Sequence, residues 1–278
     1  MDWYEAIILG IVQGLTEWLP ISSSGHLAIA EKALNLDYPV VYDVALHFGT
    51  LLVLLYYFKE DVKKIGMKIP SLISKIGKKD AKLEEERMIM MIIISGVMTS
   101  LIFVMASAFK IGQYKEKYGI TDTEIVGVAL IFNALILLAS KEVERSWKIK
   151  EGMDFTNVPL KAGIFIGIAQ GIAVLPGISR SGFTITAGMA TGLKPREAAR
   201  FSFILFIPTV MGAALVKMRE IPEAVDTVGI PNLILGTLAA MITGYFCLDL
   251  LMKIVEKRTL HWFAPYCLIR GILTLIVY

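Results

Sequence analysis

The sequence is poor in cysteine: Cys247 and Cys267 are the only two in 278 residues, and both sit inside long apolar stretches, where a small polarizable hydrophobe is the expected role. That excludes a disulfide framework and a cysteine-ligated zinc site. A surplus of charge is missing too. The 28 Lys and Arg against 25 Asp and Glu leave a net charge of +3, too modest to argue for a nucleic-acid partner. Amphipathic spacing is equally scarce. Apolar residues, 55% of the chain at a mean hydropathy of +0.64, come in unbroken blocks, which excludes an ordinary soluble domain. The N-terminus lacks a basic n-region and a small-residue cleavage site, so no removable signal peptide is expected.

What the chain does have is length for the bilayer. A spanning helix needs about 20 mostly apolar residues, and six stretches qualify: 39–58, 88–109, 123–140, 197–216, 230–252 and 262–278. Two further apolar regions, 3–34 and 160–192, are cut in the middle by proline, glycine and serine. If these two enter the membrane and return, the loops 59–87, 141–161, 192–200 and 253–261 share one face and carry 20 of the 28 Lys and Arg. The positive-inside rule makes that face cytoplasmic and places both termini outside, as expected for a multi-pass protein of the plasma membrane. Lys32, Lys110, Lys115, Lys117, Lys217 and Arg219 fall on the opposite face, and Arg180 and Arg270 lie at membrane depth.

An internal repeat supports this layout. Residues 10–26 (GIVQGLTEWLPISSSGH) and 167–183 (GIAQGIAVLPGISRSGF) align without gaps with eight identities in 17 positions, Gln-Gly and Ser-x-Ser-Gly among them. Each half is then one broken segment followed by three spans, and an odd number of spans inverts the second copy. The expected fold is an all-α integral membrane domain over 1–278, with repeat 1 at about 1–150 and repeat 2 at about 157–278. Each repeat is a broken re-entrant helix pair plus three transmembrane helices in inverted topology. Non-helical backbone at that depth must be buried in protein or line a cavity, so the two breaks are expected to meet.

The breaks carry polar chemistry. Gln13 and Glu17 share a helix face; Pro20 ends that helix; Ser22, Ser23 and Ser24 are placed to cap a second half-helix, whose free N–H groups suit a phosphate. Ser23 and His26, three apart, are the minimum equipment for activating an oxygen nucleophile. The second copy puts Arg180 where the first has Ser23. An arginine at membrane depth costs at least about 2.5–3.5 kcal/mol and needs an anionic partner, either Glu17, a bound phosphate, or both in turn. Asp43 and His47 either line the cavity or bind each other. Asp249 and Arg270 are expected to pair in the bundle, and His261 to be interfacial. The same architecture suits an anion transporter, which has no evident need for Ser23 and His26.

These residues resemble a known family. QGLTEWLPISSSGH and LPGISRSGFTIT are similar to the two signatures of the bacitracin-resistance, undecaprenyl-diphosphatase family, and YDVALHFGTLL (42–52) and AARFSFILFIP (198–208) echo it too. The resemblance implies hydrolysis of a polyprenyl diphosphate to the monophosphate and inorganic phosphate, recycling a lipid carrier for cell-wall or surface glycan synthesis. It carries the catalytic positions onto Glu17, Ser23, His26 and Arg180. Gln13, Ser22, Ser24, Ser179, Ser181 and Thr184 become groups around the phosphate, and a divalent metal, Mg²⁺ or Ca²⁺, is expected with Glu17 as its ligand. Gln13 stands where many relatives have Glu, which weakens a metal held by two carboxylates. A phosphatidic-acid-type phosphatase is a rival reading, but its leading basic motif and trailing histidine are missing. The expected partners are the bilayer and the lipid diphosphate, with a homodimer left open and no nucleic acid.

Overall fold

The structure is a computed structural model that describes residues 1–36, 40–74, 84–108, 121–147 and 152–278. The loop lysines 75, 78, 79, 82, 110, 115, 117, 148 and 150 lie outside the described residues. Helices follow one another as α1 (Trp3–Trp18), α2 (Ser23–Leu34), α3 (Val41–Tyr57), α4 (Lys59–Ser74), α5 (Glu84–Ala108) and α6 (Asp122–Trp147). They continue with α7 (Ala162–Ile172), α8 (Arg180–Ala190), α9 (Pro195–Lys217), α10 (Ile221–Val228), α11 (Ile230–Glu256) and α12 (Ala264–Val277). Among the described residues there is no strand beyond an isolated bridge between Met153 and Leu193.

Six helical segments are long and apolar enough to cross a membrane: Val40–Tyr57, Glu84–Ala106, Asp122–Ser146, Pro195–Glu220, Ile230–Glu256 and Leu260–Val277. They coincide with the six stretches expected from hydropathy. Their outward residues are large and apolar, including Val97, Leu101 and Val104 on α5 and Ile234, Ile242 and Phe246 on α11, as a hydrocarbon solvent requires. The chain is therefore a multi-pass membrane protein. The two interrupted regions are both helix, break, helix. α1 stops at Leu19 because Pro20 follows, whereas α7 stops ahead of a turn in which Gly177 takes φ +87°, a conformation open to glycine at no steric cost.

The repeated glycines explain how the helices before the two breaks are seated. α1 packs along α11, and α7 packs along α5. A side chain at Gly10 or Gly14 would collide with the backbone of α11 at Gly236 and Ala240. A Cβ at Gly167 would lie 2.6 Å from Ser95 O, and one at Gly171 2.5 Å from the Cβ of Ile102, both on α5. Small residues four apart let membrane helices approach closely where packing replaces the hydrophobic effect. The Gly-x-x-x-Gly shared by the two motifs thus seats the helix before each break on a helix distant from it in sequence. α6 and α12 pair along one side, and α3 and α9 meet at the centre, where Trp18, Phe58, Phe203 and Phe206 form an aromatic core. On the face expected to be cytoplasmic, Arg200 of α9 ties α4 and α5 down through Asp61 and Glu84 at 2.5 and 2.7 Å.

Candidate active site

Both breaks are built on the same local rule. Ser22 Oγ accepts from Gly25 N at 3.1 Å and Ser179 Oγ accepts from Gly182 N at 3.2 Å, so the Ser-x-Ser-Gly of each copy is a helix N-cap. Ser24 lies 3.4 Å from Ser22, and Ser181 3.3 Å from Ser179. The breaks also hook into each other. Gly177 N donates to Ser24 Oγ and Ser181 Oγ donates to Leu19 O, each at 3.3 Å. The start of α2 and the start of α8 are thereby brought together, each offering the free N–H groups of a first turn. Ser22 pays for this with φ 72°, a left-handed conformation for a non-glycine residue, worth about 1–3 kcal/mol of strain.

The centre of the site is Glu17, in the last turn of α1 and only 4% exposed at its side chain. Arg180, the first residue of α8, donates to Oε1 at 2.7 Å. Ser23, the first residue of α2, donates its hydroxyl to Oε2 at 2.7 Å, and Gln13 Nε2 donates to the same oxygen at 2.9 Å. His47 Nε2 from α3 lies 3.3 Å from Oε2. The Arg180 guanidinium rests 4.1 Å above the Phe206 ring and donates to Ser202 O at 3.4 Å. Of the two anionic partners expected for Arg180, Glu17 is the one the structure shows.

The expected pairing of Ser23 with His26 is not what the geometry shows. His26 Nδ1 lies 2.8 Å from Ser22 O, its own i−4 carbonyl, and Nε2 lies 2.6 Å from the Tyr266 hydroxyl, with the two rings stacked. The imidazole braces the strained Ser22 turn against α12, and the oxygen facing Ser23 belongs to Glu17. Thr184 likewise turns away from the centre, bonding Arg180 O at 2.8 Å and Ser202 Oγ at 2.5 Å, so it holds the start of α8. Asp43 meets His47 through its backbone, His47 Nδ1 lying 2.7 Å from Asp43 O. Asp249 pairs with Lys253 one turn along α11 at 2.6 Å, rather than with Arg270. His261 sits 3.2 Å from the buried Glu144.

Two contributors escaped the sequence reading. Asn133, buried in the middle of α6, donates Nδ2 to Gly177 O at 2.8 Å and accepts from Ser179 N at 2.9 Å, a bidentate brace on the strand-like segment that delivers Arg180. Its only sequence signal is a lone amide inside an apolar run. Phe206, the platform under Arg180, is hidden among the other phenylalanines of α9.

A divalent ion does not fit this residue set as a protein-held group. Among the described residues no three His, Cys, Asp or Glu side chains gather in a metal-binding arrangement. Both Glu17 oxygens already accept from protein donors. The buried oxygen beside it that lacks a donor is the amide Oε1 of Gln13, a single neutral oxygen where Mg²⁺ or Ca²⁺ gathers about six oxygen ligands, carboxylates among them.

The chain resembles known proteins along nearly all of its length. The family described as bacitracin resistance protein BacA matches residues 6–273. A protein of Methanobrevibacter smithii named undecaprenyl-diphosphatase is 35% identical over 282 residues, covering 98% of this chain and 96% of the relative. Proteins of the same name from Carboxydothermus hydrogenoformans and Korarchaeum cryptofilum are 35% and 36% identical, each covering at least 98% of both chains. With its two serine-rich breaks joined at one buried carboxylate, the chain belongs to the bacitracin resistance protein BacA family.

Proposed function

We propose that the protein hydrolyses undecaprenyl diphosphate to the monophosphate and inorganic phosphate. The observation that carries this reading is that the first residues of both half-helices, Ser23 and Arg180, meet on Glu17. The nucleophile, its base and an anion clamp thus converge where two sets of free N–H groups converge. Relatives named for this activity, at about the same length, support it. The prenyl tail stays in lipid while the diphosphate enters the break. Arg180 turns from Glu17 to the phosphate oxygens, and with the helix N-termini it stabilises charge in the transition state. Ser23 Oγ attacks the terminal phosphorus, passes its proton to Glu17 Oε2, and the prenyl monophosphate leaves. Water then attacks the phosphoserine, and Glu17 returns the proton to Ser23 as its bond to phosphorus breaks.

The reading extends to the architecture. The offset of 157 residues that aligns the motifs also relates Ser24 to Ser181 and Gly25 to Gly182 in the paired hooks, which favours two inverted, re-entrant repeats within one membrane domain. The basic loops favour a cytoplasmic Arg200 cluster and outer-leaflet action in the plasma membrane. A divalent ion, where it stimulates, is proposed to arrive on the diphosphate and not on the free protein.

Phosphate release from a C55 prenyl diphosphate by purified protein in detergent tests the assignment, run beside Arg180→Ala. Release that collapses in the variant is expected. No release from folded wild type, with or without Mg²⁺, would overturn it and favour a transporter. Asn133→Leu is expected to lower kcat about 100-fold, the scale of an ångström-level misplacement, because the 177–179 segment loses both of its brackets. Asn133→Asp, which keeps the acceptor for Ser179 N, is expected to lose less; steady-state kinetics of the two variants check the order.

A further inference from the structure

The sequence places two arginines at membrane depth, where each needs an anion, and the fold treats them differently. Arg180 has Glu17 at 2.7 Å. Asp249, the expected partner of Arg270, bonds Lys253 instead, and among the described residues the Arg270 guanidinium makes no hydrogen bond or ion pair. Arg270 is half-buried on α12, so water alone does not account for its charge. Helix packing fixes its place. α2 and α12 both lie against α6, and they meet it at the same level. A Cβ at Gly25, two residues after Ser23, would lie 3.2 Å from Val126 Cγ1, and one at Gly271, next to Arg270, 2.7 Å from Gly127 O and 2.8 Å from Ile131 Cγ1. Val126 and Gly127 point about 100° apart on their helix. Two partners at about 8–10 Å each from α6 then stand roughly 12–15 Å from one another, too far to pack directly. A groove is left between them, floored by α6 and bridged by the side chains of His26 and Tyr266. Arg270 follows Tyr266 by one turn on the same face of α12, and its charge reaches both rings. Ser24 is exposed at that depth, beside Ser23.

Resting on the phosphatase reading, we propose that this groove is the lateral entrance for the lipid diphosphate and that Arg270 binds the phosphate attached to the prenyl chain, while Arg180 takes the terminal one. A diphosphate brings two anionic groups into the membrane, and each then meets a guanidinium, whose fork suits phosphate oxygens. The groove floor is apolar, with Val126, Gly127 and Ile131 along it, and it opens sideways to lipid past Tyr266, which is 44% exposed, so the prenyl chain need not leave the hydrocarbon. Arg270 stays with its phosphate through the reaction, because that phosphate remains on the prenyl product. Substrate, transition state and product share the contact, which makes it a binding interaction and not a catalytic one. The contact comes from α12, a helix that carries neither serine-rich motif.

Arg270→Gln is expected to fold with no loss of thermal stability, since the guanidinium has no ion pair or hydrogen bond to lose. In phospholipid-free detergent, its KM for phosphate release from a C55 prenyl diphosphate is expected to rise about 10–100-fold, the scale of a hydrogen bond to a charged group. Its kcat should stay within about threefold, as for an interaction shared by ground and transition states. The inhibition constant of undecaprenyl monophosphate should rise by the same factor, and Arg270→Lys should recover part of both. The monophosphate should also raise the unfolding temperature of wild type and not that of Arg270→Gln, a readout that needs no turnover. KM and inhibition within about threefold of wild type, the margin set for a shared interaction, would overturn the proposal. So would an unfolded Arg270→Gln, which would make Arg270 a structural residue, or an effect seen only when anionic phospholipid is added, which would assign it to a headgroup of the surrounding bilayer. Wild type that is stabilised by the monophosphate yet releases no phosphate would instead overturn the phosphatase reading and leave the groove in place.

Discussion

Glu17→Ala is expected to destabilise the protein by about 3–5 kcal/mol, the cost of leaving a buried charge without its partner, and to abolish phosphate release. Arg180→Ala is expected to abolish release as well, at a smaller cost in stability. The asymmetry follows from proton chemistry. A carboxylate stranded in the membrane interior can become neutral by taking up a proton, and Glu17 also keeps Ser23 and Gln13 as donors, with His47 Nε2 3.3 Å away. A guanidinium cannot discharge itself. Stranded Arg180 retains the Phe206 face and one long bond to Ser202 O, neither of which supplies a negative charge. The double variant Glu17→Met/Arg180→Met removes both charges and is expected to recover most of the stability and none of the activity. Thermal unfolding in detergent, read beside phosphate release, checks the ranking. Arg180→Ala proving the less stable of the two single variants would mean that the pair is not the structural element described here.

Ser23→Ala is expected to cost activity far more than stability. In the fold it removes one hydroxyl that donates to Glu17, worth about 1–3 kcal/mol for a bond to a charged group, and alanine is well tolerated inside a helix. In the reaction it removes the nucleophile, so kcat is expected to fall by about 10³-fold or more. Rapid quench of wild type with terminally labelled diphosphate should trap phosphoserine, and the variant should show none. A variant that keeps kcat within about tenfold of wild type would make water the attacking group and reduce Ser23 to a ligand of Glu17.

Much of this arrangement was legible in the linear order of residues, because it follows from local rules. The ends of α1 and the start of α2 are set by Pro20 and Ser22 within a few positions, and the eight identities of the repeat announced that the breaks belong together. Glu17 opposite Arg180 was legible as well, since a charge at membrane depth needs a partner. The misreading came where spacing was used in place of direction. Ser23 and His26 are three apart, yet in the first turn of α2 the imidazole reaches back to the Ser22 carbonyl, and its other nitrogen meets a tyrosine 240 residues away. His47 reaches Glu17 only because α3 crosses the end of α1, a tertiary fact with no local signature. Asn133 and Phe206 were hidden for a related reason: each acts on backbone or charge supplied by α8 and the turn before it, so neither belongs to a pattern along its own helix.

The seating of α1 on a helix made much later in the chain sets an order in time. α1 ends at residue 18, and the helix it packs along, α11, begins at residue 230. At synthesis rates of about 5–20 residues per second, the N-terminal helix waits roughly 10–40 s before its partner exists. For most of that interval, until residue 180 is made, the carboxylate of Glu17 lacks Arg180, and the glycine face of α1 is open to lipid or to a helper protein. Biogenesis therefore seats α1 late, and a chain truncated before α11 leaves its first helix without the surface that its glycines fit.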